Sequence, residues 1–338
     1  MGSGAWSDST YRSAAAFRRN AGDDDFGYTA ATRSRPQREW RADPALDPKG
    51  VGLRESRDSA EHPRSTPIVV LFDVTGSMGQ VPRIVQAKMS GLLGLLERQG
   101  YVSDPQIMFG AIGDADSDRV PLQVGQFESD NRMDDQLRSI FLEGNGGGQK
   151  SESYELAAYF VARHTATDHW DRRGRKGYLF VIGDELNKRR LEARHVRRVI
   201  GDTVLRDLAV EDVWAQVQER WETFYVLPRQ TAYYDDPQVN EHWRALLGER
   251  LLRLEDPAAV AELIATTIGL LEDSVDLDEG LANLTAIGSD AGDAVGRALV
   301  TVAVPGSGGR GLVRRDGEGR RGAVGLLPPG LDVADDLA

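Results

Sequence analysis

The stretch Ile68-Val69-Val70-Leu71-Phe72-Asp73-Val74-Thr75-Gly76-Ser77-Met78-Gly79 decides how the rest of the chain is read. Five consecutive apolar residues without polar alternation predict a strand buried on both faces, the kind that lies inside a parallel sheet covered by helices. Comparable runs follow at Ile107–Ile112, Tyr178–Ile182 and Phe224–Leu227, and the segments between them are long enough to hold helices. After the first run, Val85, Met89, Leu92, Leu93 and Leu96 recur at helical spacing, with Gly100 placed to stop the helix. Further helical patterns cover Met133–Leu142, Ser153–His164, Arg190–Val204, Glu211–Trp221 and, behind the cap Asp256-Pro257, Ala258–Leu271. This alternation predicts an α/β fold over residues 67–272, a doubly wound, mostly parallel sheet flanked by helices.

On either side of that domain the composition changes. Residues 1–66 are rich in Arg, Asp, Ser and Gly, hold no Ile, and cannot bury enough surface to fold alone. Trp6, Tyr11, Phe17, Phe26, Tyr28 and Trp40 nevertheless recur there, as in an arm that docks its rings on a partner or on its own body. Such an arm could also wrap a neighbouring copy and so build a homo-oligomer. Residues 273–304 read as one or two amphipathic helices, and residues 305–338 as a flexible Gly- and Arg-rich tail. Across the 338 residues, 53 acids against 41 Lys plus Arg leave a net charge of -12, which argues against broad binding to nucleic acid or anionic lipid. Cysteine is absent, which excludes disulfides, thiolate catalysis and cysteine-ligated metals. No apolar run approaches the ~18–20 residues that span a bilayer, and the first residues lack the order of a secretory signal. The expectation is a cytoplasmic protein.

Ligands of open α/β sheets bind beyond the carboxyl ends of the strands, so the residues that follow each run carry the functional reading. The first run ends in Asp73-Val74-Thr75-Gly76-Ser77, the second in Gly113-Asp114-Ala115-Asp116-Ser117-Asp118, and the third in Gly183-Asp184-Glu185. A carboxylate thus arrives at one edge after three strands. Thr75 and Ser77, two apart in an extended turn, can point the same way as Asp73. An oxygen-only donor set of this kind suits a hard cation, Mg²⁺ or Mn²⁺, better than zinc.

At these residues the chain resembles the von Willebrand factor A (VWA) family, of the intracellular bacterial type, whose metal-ion-dependent adhesion site (MIDAS) reads Asp-x-Ser-x-Ser after the first strand. Asp73-x-Thr75-x-Ser77 keeps the hydroxyls, and Asp184 stands where the family carries a later Asp, although Gly183 and Glu185 depart from its flanking residues. Between the two the family places a Gly-rich loop with a Thr ligand. The loop Gly144-Asn145-Gly146-Gly147-Gly148-Gln149-Lys150-Ser151-Glu152-Ser153 lies there without a Thr, so Ser151 is favoured as the hydroxyl ligand, with Gln149 and Ser153 as rivals. The resemblance implies a metal set of Asp73, Thr75, Ser77, Ser151 and Asp184, and a non-enzymatic adaptor or scaffold that binds a protein partner's Asp or Glu through the ion. It also implies a place beside an AAA+ ATPase of the MoxR type.

An enzymatic reading competes. Asp73-Val74-Thr75-Gly76-Ser77 also resembles the phosphorylated-aspartate motif of the haloacid dehalogenase superfamily, which would make Asp73 a nucleophile, Thr75 a phosphate contact and Asp184 a Mg²⁺ ligand. Against it, Thr75 occupies the position of the general acid of the soluble phosphatases, Lys188 stands where a second metal-binding Asp belongs, and the glycine loop has no role. The basic run Lys188–Arg198 reads as a solvated helix face. Asp114, Asp116 and Asp118 read as a solvated acidic rim, with a metal-ligating role for Asp114 as the alternative. Trp214, Trp221 and Trp243 read as core.

Overall fold

The computed structural model describes residues 26–300. Its centre is a six-stranded sheet of β1 (Thr66–Asp73), β2 (Pro105–Ile112), β3 (Leu122–Val124), β4 (Gly177–Ile182), β5 (Trp221–Pro228) and β6 (Leu251–Leu254). The spatial order is β6-β5-β4-β1-β2-β3, parallel throughout except for the short edge strand β3, which runs antiparallel to β2. All four apolar runs are strands, and β1, β2 and β4 are buried at every position. Because successive side chains point to opposite faces, Ile68, Val70 and Phe72 enter one core layer while Val69 and Leu71 enter the other.

Counting helices of seven residues or more, α1 is Gly27–Arg33, α2 Val81–Met89, α3 Leu92–Gln99, α4 Arg132–Ser139, α5 Tyr154–Arg163, α6 Val210–Arg220, α7 Pro237–Leu247, α8 Val260–Leu271, α9 Leu277–Ala286 and α10 Gly292–Val300. Helices α2, α3, α4 and α8 to α10 contribute to the first layer; α5, α6 and α7 cover the second. The sheet is therefore wound on both faces.

Several expected boundaries shift, for local reasons. The helix expected across Val85–Leu96 breaks at Ser90-Gly91 into α2 and α3, and Gly100 ends α3 in the left-handed region at φ 63°. The helix expected over Arg190–Val204 is confined to Ala193–Ile200. Arg190–Leu191 pairs antiparallel with Leu208–Ala209, a short turn follows at Ala193–His195, and Val196–Ile200 winds as a π-helix ended by Gly201 at φ 102°. Trp221 opens β5 instead of closing a helix. Helix α7 carries its own start signal, Asp236 accepting from the amides of Gln238 and Val239 with Pro237 at the first helical position.

The described part of the N-terminal segment packs on the chain's own body. Arg83 lies over the Phe26 ring at 4.4 Å, Trp40 meets Phe141 edge-on at 5.4 Å, and Arg54–Ser56 pairs in parallel with Thr165–Thr167. Trp6, Tyr11, Phe17 and the tail 305–338 lie outside the described residues. Among the described residues no helix is long and apolar enough to cross a membrane.

Candidate metal centre

The chain turns from β1 to β2 on one side and reaches β4 on the other, so the switch point of the winding lies at the carboxyl end of β1. Asp73 ends β1 beside Ile112, the last residue of β2, and Asp184 lies two residues beyond β4. A continuous row of oxygens joins them. Asp73 Oδ1 accepts from the Thr75 amide at 2.8 Å and from Thr75 Oγ1 at 2.6 Å; Thr75 Oγ1 lies 3.2 Å from Ser77 Oγ; and Ser77 Oγ donates to Asp184 Oδ1 at 2.8 Å. The other oxygen of Asp184 accepts from the Tyr233 amide at 3.2 Å. Asp73, Thr75 and Asp184 are buried, whereas Ser77 keeps a partly exposed face beside the exposed Gly76.

The glycine loop closes over this row. The Gly76 amide donates to the Asn145 carbonyl, and a Cβ on Gly76 would meet that oxygen at 3.1 Å. Gly146 adopts φ 139°, a conformation side chains rarely take, and its missing Cβ would face Glu152 Oε1 and Thr75. Arg33 of α1 holds the loop's entry by donating to the carbonyls of Leu142 and Glu143.

Of the five expected ligands, Asp73, Thr75, Ser77 and Asp184 come together. Ser151 sits in a two-residue strand, Ser151–Glu152, paired in parallel with Leu186–Asn187. It is half-buried and lines an open groove of about 680 Å³ with Gln149 and Lys150. Ser153 Oγ accepts from the Ala115 amide at 2.9 Å and so serves the neighbouring loop.

Four residues beyond the expected ligands shape the site. Tyr154 donates its hydroxyl to Asp73 Oδ2 at 2.5 Å and accepts from the Glu185 amide at 3.3 Å. Its ring needs the space over Gly183, where a Cβ would lie 2.3 Å from the tyrosine oxygen. Gly183→Ala is expected to lower the unfolding free energy by ~1–3 kcal/mol, the range for an extra carbon forced into a packed core. Adding Tyr154→Phe removes the nearest atom and should recover part of that loss. Chemical denaturation of both variants checks this, and undiminished stability of the single variant would show that Tyr154 can step aside.

Glu152, Glu185 and Lys188 complete the surroundings. Glu152 is 1% exposed and Glu185 4%, and each has one carboxylate oxygen without a hydrogen-bond partner. Burial, then the nearby charge of Asp73, raises the Glu152 carboxyl far above the usual range; burial, then Asp184, raises Asp73. Burial with the charge of Asp184 pushes Glu185 up to about 7, and burial alone dominates in Glu155, pushed up to about 8. Lys188 Nζ lies 2.8 Å from Asp114 Oδ1 and 3.4 Å from Asp116 Oδ2. The basic run is a solvated helix face only over Ala193–Ile200, where Arg194, Arg197 and Arg198 are exposed, and some of its charges have partners as well: Arg194 and His195 reach Asp116, and Arg198 donates to the Ala115 carbonyl. Likewise Asp114 and Asp118 are buried, Asp118 Oδ2 accepting from the Asp114 amide at 2.8 Å, so only Asp116 stands on a rim. Asp116, Glu192 and His195 offer ligand atoms within 4.8 Å of one another, although Asp116 already carries Lys188 and Arg194.

Beneath the edge, aromatic packing fixes residues 183–187. Tyr225 stacks on Trp243 at 3.7 Å, Tyr154 meets both edge-on, and Trp243 Nε1 and the Tyr225 hydroxyl donate to the Glu185 carbonyl at 2.8 and 3.3 Å. Trp214 Nε1 donates to Asn187 Oδ1 at 3.2 Å.

No family model and no curated protein matches the chain. Among solved structures it is similar to the pilus adhesin SpaC from Lactobacillus rhamnosus GG in its open conformation, at 10% identity and a TM-score of 0.47, over 64% of this chain and 31% of that one. It is also similar to a von Willebrand factor type A structure from Catenulispora acidiphila, at 13% identity and a TM-score of 0.37, over 61% of this chain and 42% of that one. The vWF domain of the type V pili tip protein Mfa5 from Porphyromonas gingivalis matches at 9% identity and a TM-score of 0.40, over 60% of this chain and 95% of that one. The chain thus spans less than a third of the SpaC adhesin it matches.

Proposed function

We propose that this chain is a protein-binding module that captures a partner's carboxylate through a divalent cation, Mg²⁺ or Mn²⁺, held at the carboxyl edge of β1 and β4. Asp73, Thr75, Ser77 and Asp184 would hold the ion, with one side chain of the 144–153 loop completing the set. The observation that carries this is the unbroken row Asp73–Thr75–Ser77–Asp184, with contacts of 2.6 to 3.2 Å, at the switch point of the sheet. The fit is chemical: several carboxylates withdrawn from water, Glu152 and Glu185 among them each with an orphaned oxygen, and all donors oxygen. Buried carboxylates repel one another unless a proton or a cation sits among them. When bound, the ion supplies an open coordination position that attracts an anionic oxygen. Ser77, on the exposed side of the row, marks where that oxygen would arrive.

Phosphoryl transfer fits less well. A nucleophile must present an oxygen to its substrate, whereas the Asp73 carboxylate is fully buried, with Oδ1 held by Thr75 and Oδ2 by Tyr154. Water-proton relaxation of the Mn²⁺-loaded protein tests the proposal. A glutamate-containing peptide should displace the ion's exchangeable water and lower the relaxation enhancement, and an alanine analogue should not. An enhancement untouched by either peptide, or Asp73-dependent turnover of para-nitrophenyl phosphate, would overturn the reading. The site selects a carboxylate and no particular protein. The MoxR-type ATPase implied by the VWA resemblance is tested by co-purification in Mn²⁺ and release by a chelator.

A further inference from the structure

The residue of the glycine loop that faces the ion position is decided by the two-residue strand Ser151–Glu152. In extended backbone, neighbouring side chains leave on opposite faces. Pairing with Leu186–Asn187 fixes which face is which, because those residues lie two and three positions after Asp184. Ser151 leaves toward the open groove that Gln149, Lys150 and Lys188 also line. Glu152 leaves inward. Its Oε1 lies under Gly146, where a Cβ on that glycine would meet both it and Thr75, and its Oε2 is buried without a hydrogen-bond partner. An orphaned carboxylate oxygen in a side chain 1% exposed is a strongly disfavoured arrangement unless something else binds it.

We propose that Glu152 is the loop's ligand to the cation, a carboxylate in place of a loop hydroxyl. This rests on the cation reading above and adds to it a ligand of different charge. Three consequences follow from the geometry. With Glu152 as a ligand, a third carboxylate beside Asp73 and Asp184 would contribute to holding the ion, one more charge than an ion held by two carboxylates and loop hydroxyls would meet. The glycines at 144, 146 and 148, all at positive φ, serve to let the loop pass over Thr75 so that Glu152 returns beneath it. Lys188, 2.8 Å from Asp114 and within electrostatic reach of Glu152, supplies a built-in positive charge beside this acidic group and limits how much charge the ion must neutralise.

Calorimetric titration of metal-stripped protein with Mn²⁺ alone tests the assignment, using wild type, Asp73→Asn, Glu152→Gln and Ser151→Ala, each checked for its fold by circular dichroism. Glu152→Gln keeps size and burial while removing the charge, and is expected to weaken Mn²⁺ binding by at least about tenfold, on the scale found when a metal-site carboxylate partner is lost. Ser151→Ala should leave the affinity unchanged. The same order should appear in the rise of the thermal midpoint on adding Mn²⁺, a readout independent of heat of binding. Full affinity in Glu152→Gln with loss in Ser151→Ala would overturn the inference while leaving the cation reading intact. Absence of Mn²⁺ binding in the wild type would overturn both. Should Glu152→Gln fail to fold, Glu152→Asp, which keeps the charge but shortens its reach, replaces it: retained affinity there, with loss in Ser151→Ala, would count against the assignment.

Discussion

Stripped of divalent ions, the protein is expected to lose stability as the pH rises from about 4 to about 8, and to regain it on addition of Mn²⁺. The groups responsible are carboxyls whose folded-state pKa lies above its ordinary value: Asp73, raised by burial and by Asp184, Glu185, pushed up to about 7, and Glu155, pushed up to about 8. In the unfolded chain these groups ionise near ~4, as exposed carboxyls do. Between the two values the folded state holds more protons than the unfolded one, so stability falls with rising pH. It is fully present below the unfolded pKa and lost as the pH passes through the folded one. A cation among the carboxylates removes the need for those protons, so Mn²⁺ should stabilise strongly at pH 8 and little at pH 5. Asp73→Asn should weaken the metal-free pH dependence, leaving the part carried by Glu185 and Glu155, and abolish the Mn²⁺ effect. Thermal denaturation followed by circular dichroism at pH 5 and 8, with chelator or Mn²⁺, measures all of it. A metal-free midpoint that rises with pH over that window would contradict the argument.

The second large effect lies beneath the site. Trp243→Ala is expected to destabilise the protein by ~3–5 kcal/mol, the cost of replacing a packed aromatic residue and leaving a cavity. For a domain of this size that corresponds to a thermal midpoint lower by ~6–20 °C. The indole is fully buried, stacks on Tyr225, meets Tyr154 and Trp214 edge-on, and holds the Glu185 carbonyl through Nε1. Its removal frees the segment that carries Asp184, so Mn²⁺ affinity should fall along with stability. Trp243→Phe, which keeps a ring and loses the donor, separates the two: most of the stability should return, while the affinity loss should in part remain. Loss of stability in Trp243→Ala with unchanged Mn²⁺ affinity would mean that the aromatic floor does not position the site.

Much of this architecture was legible in the residues. A short, β-branched run such as Ile68–Phe72 reads as a strand buried on both sides, and the carboxylate or hydroxyl that follows each such run then stands at one edge, because parallel strands all end on the same side. Asp73, Thr75, Ser77 and Asp184 were located that way. Leu122–Val124 and Leu251–Leu254 were not, since three- and four-residue strands carry too little pattern. The run Lys188–Arg198 was legible only in part: Arg194, Arg197 and Arg198 do lie on an exposed helical face, but Lys188, Arg194 and Arg198 also find partners in Asp114, Asp116 and the Ala115 carbonyl, more than 70 positions away, which no local pattern shows.

What the sequence by itself determined is the layer order, the edge at which oxygen donors gather, and the glycines that let a loop cross there. These follow from local hydrophobic pattern and backbone freedom. Which side chain of that loop turns inward was decided only by the tertiary structure. Pairing of Ser151–Glu152 with Leu186–Asn187 sets the face, and a one-residue difference in register would exchange serine for glutamate. The same holds for Tyr154, which reads as an apolar helix position until folding brings its hydroxyl to Asp73, 81 residues earlier in the chain.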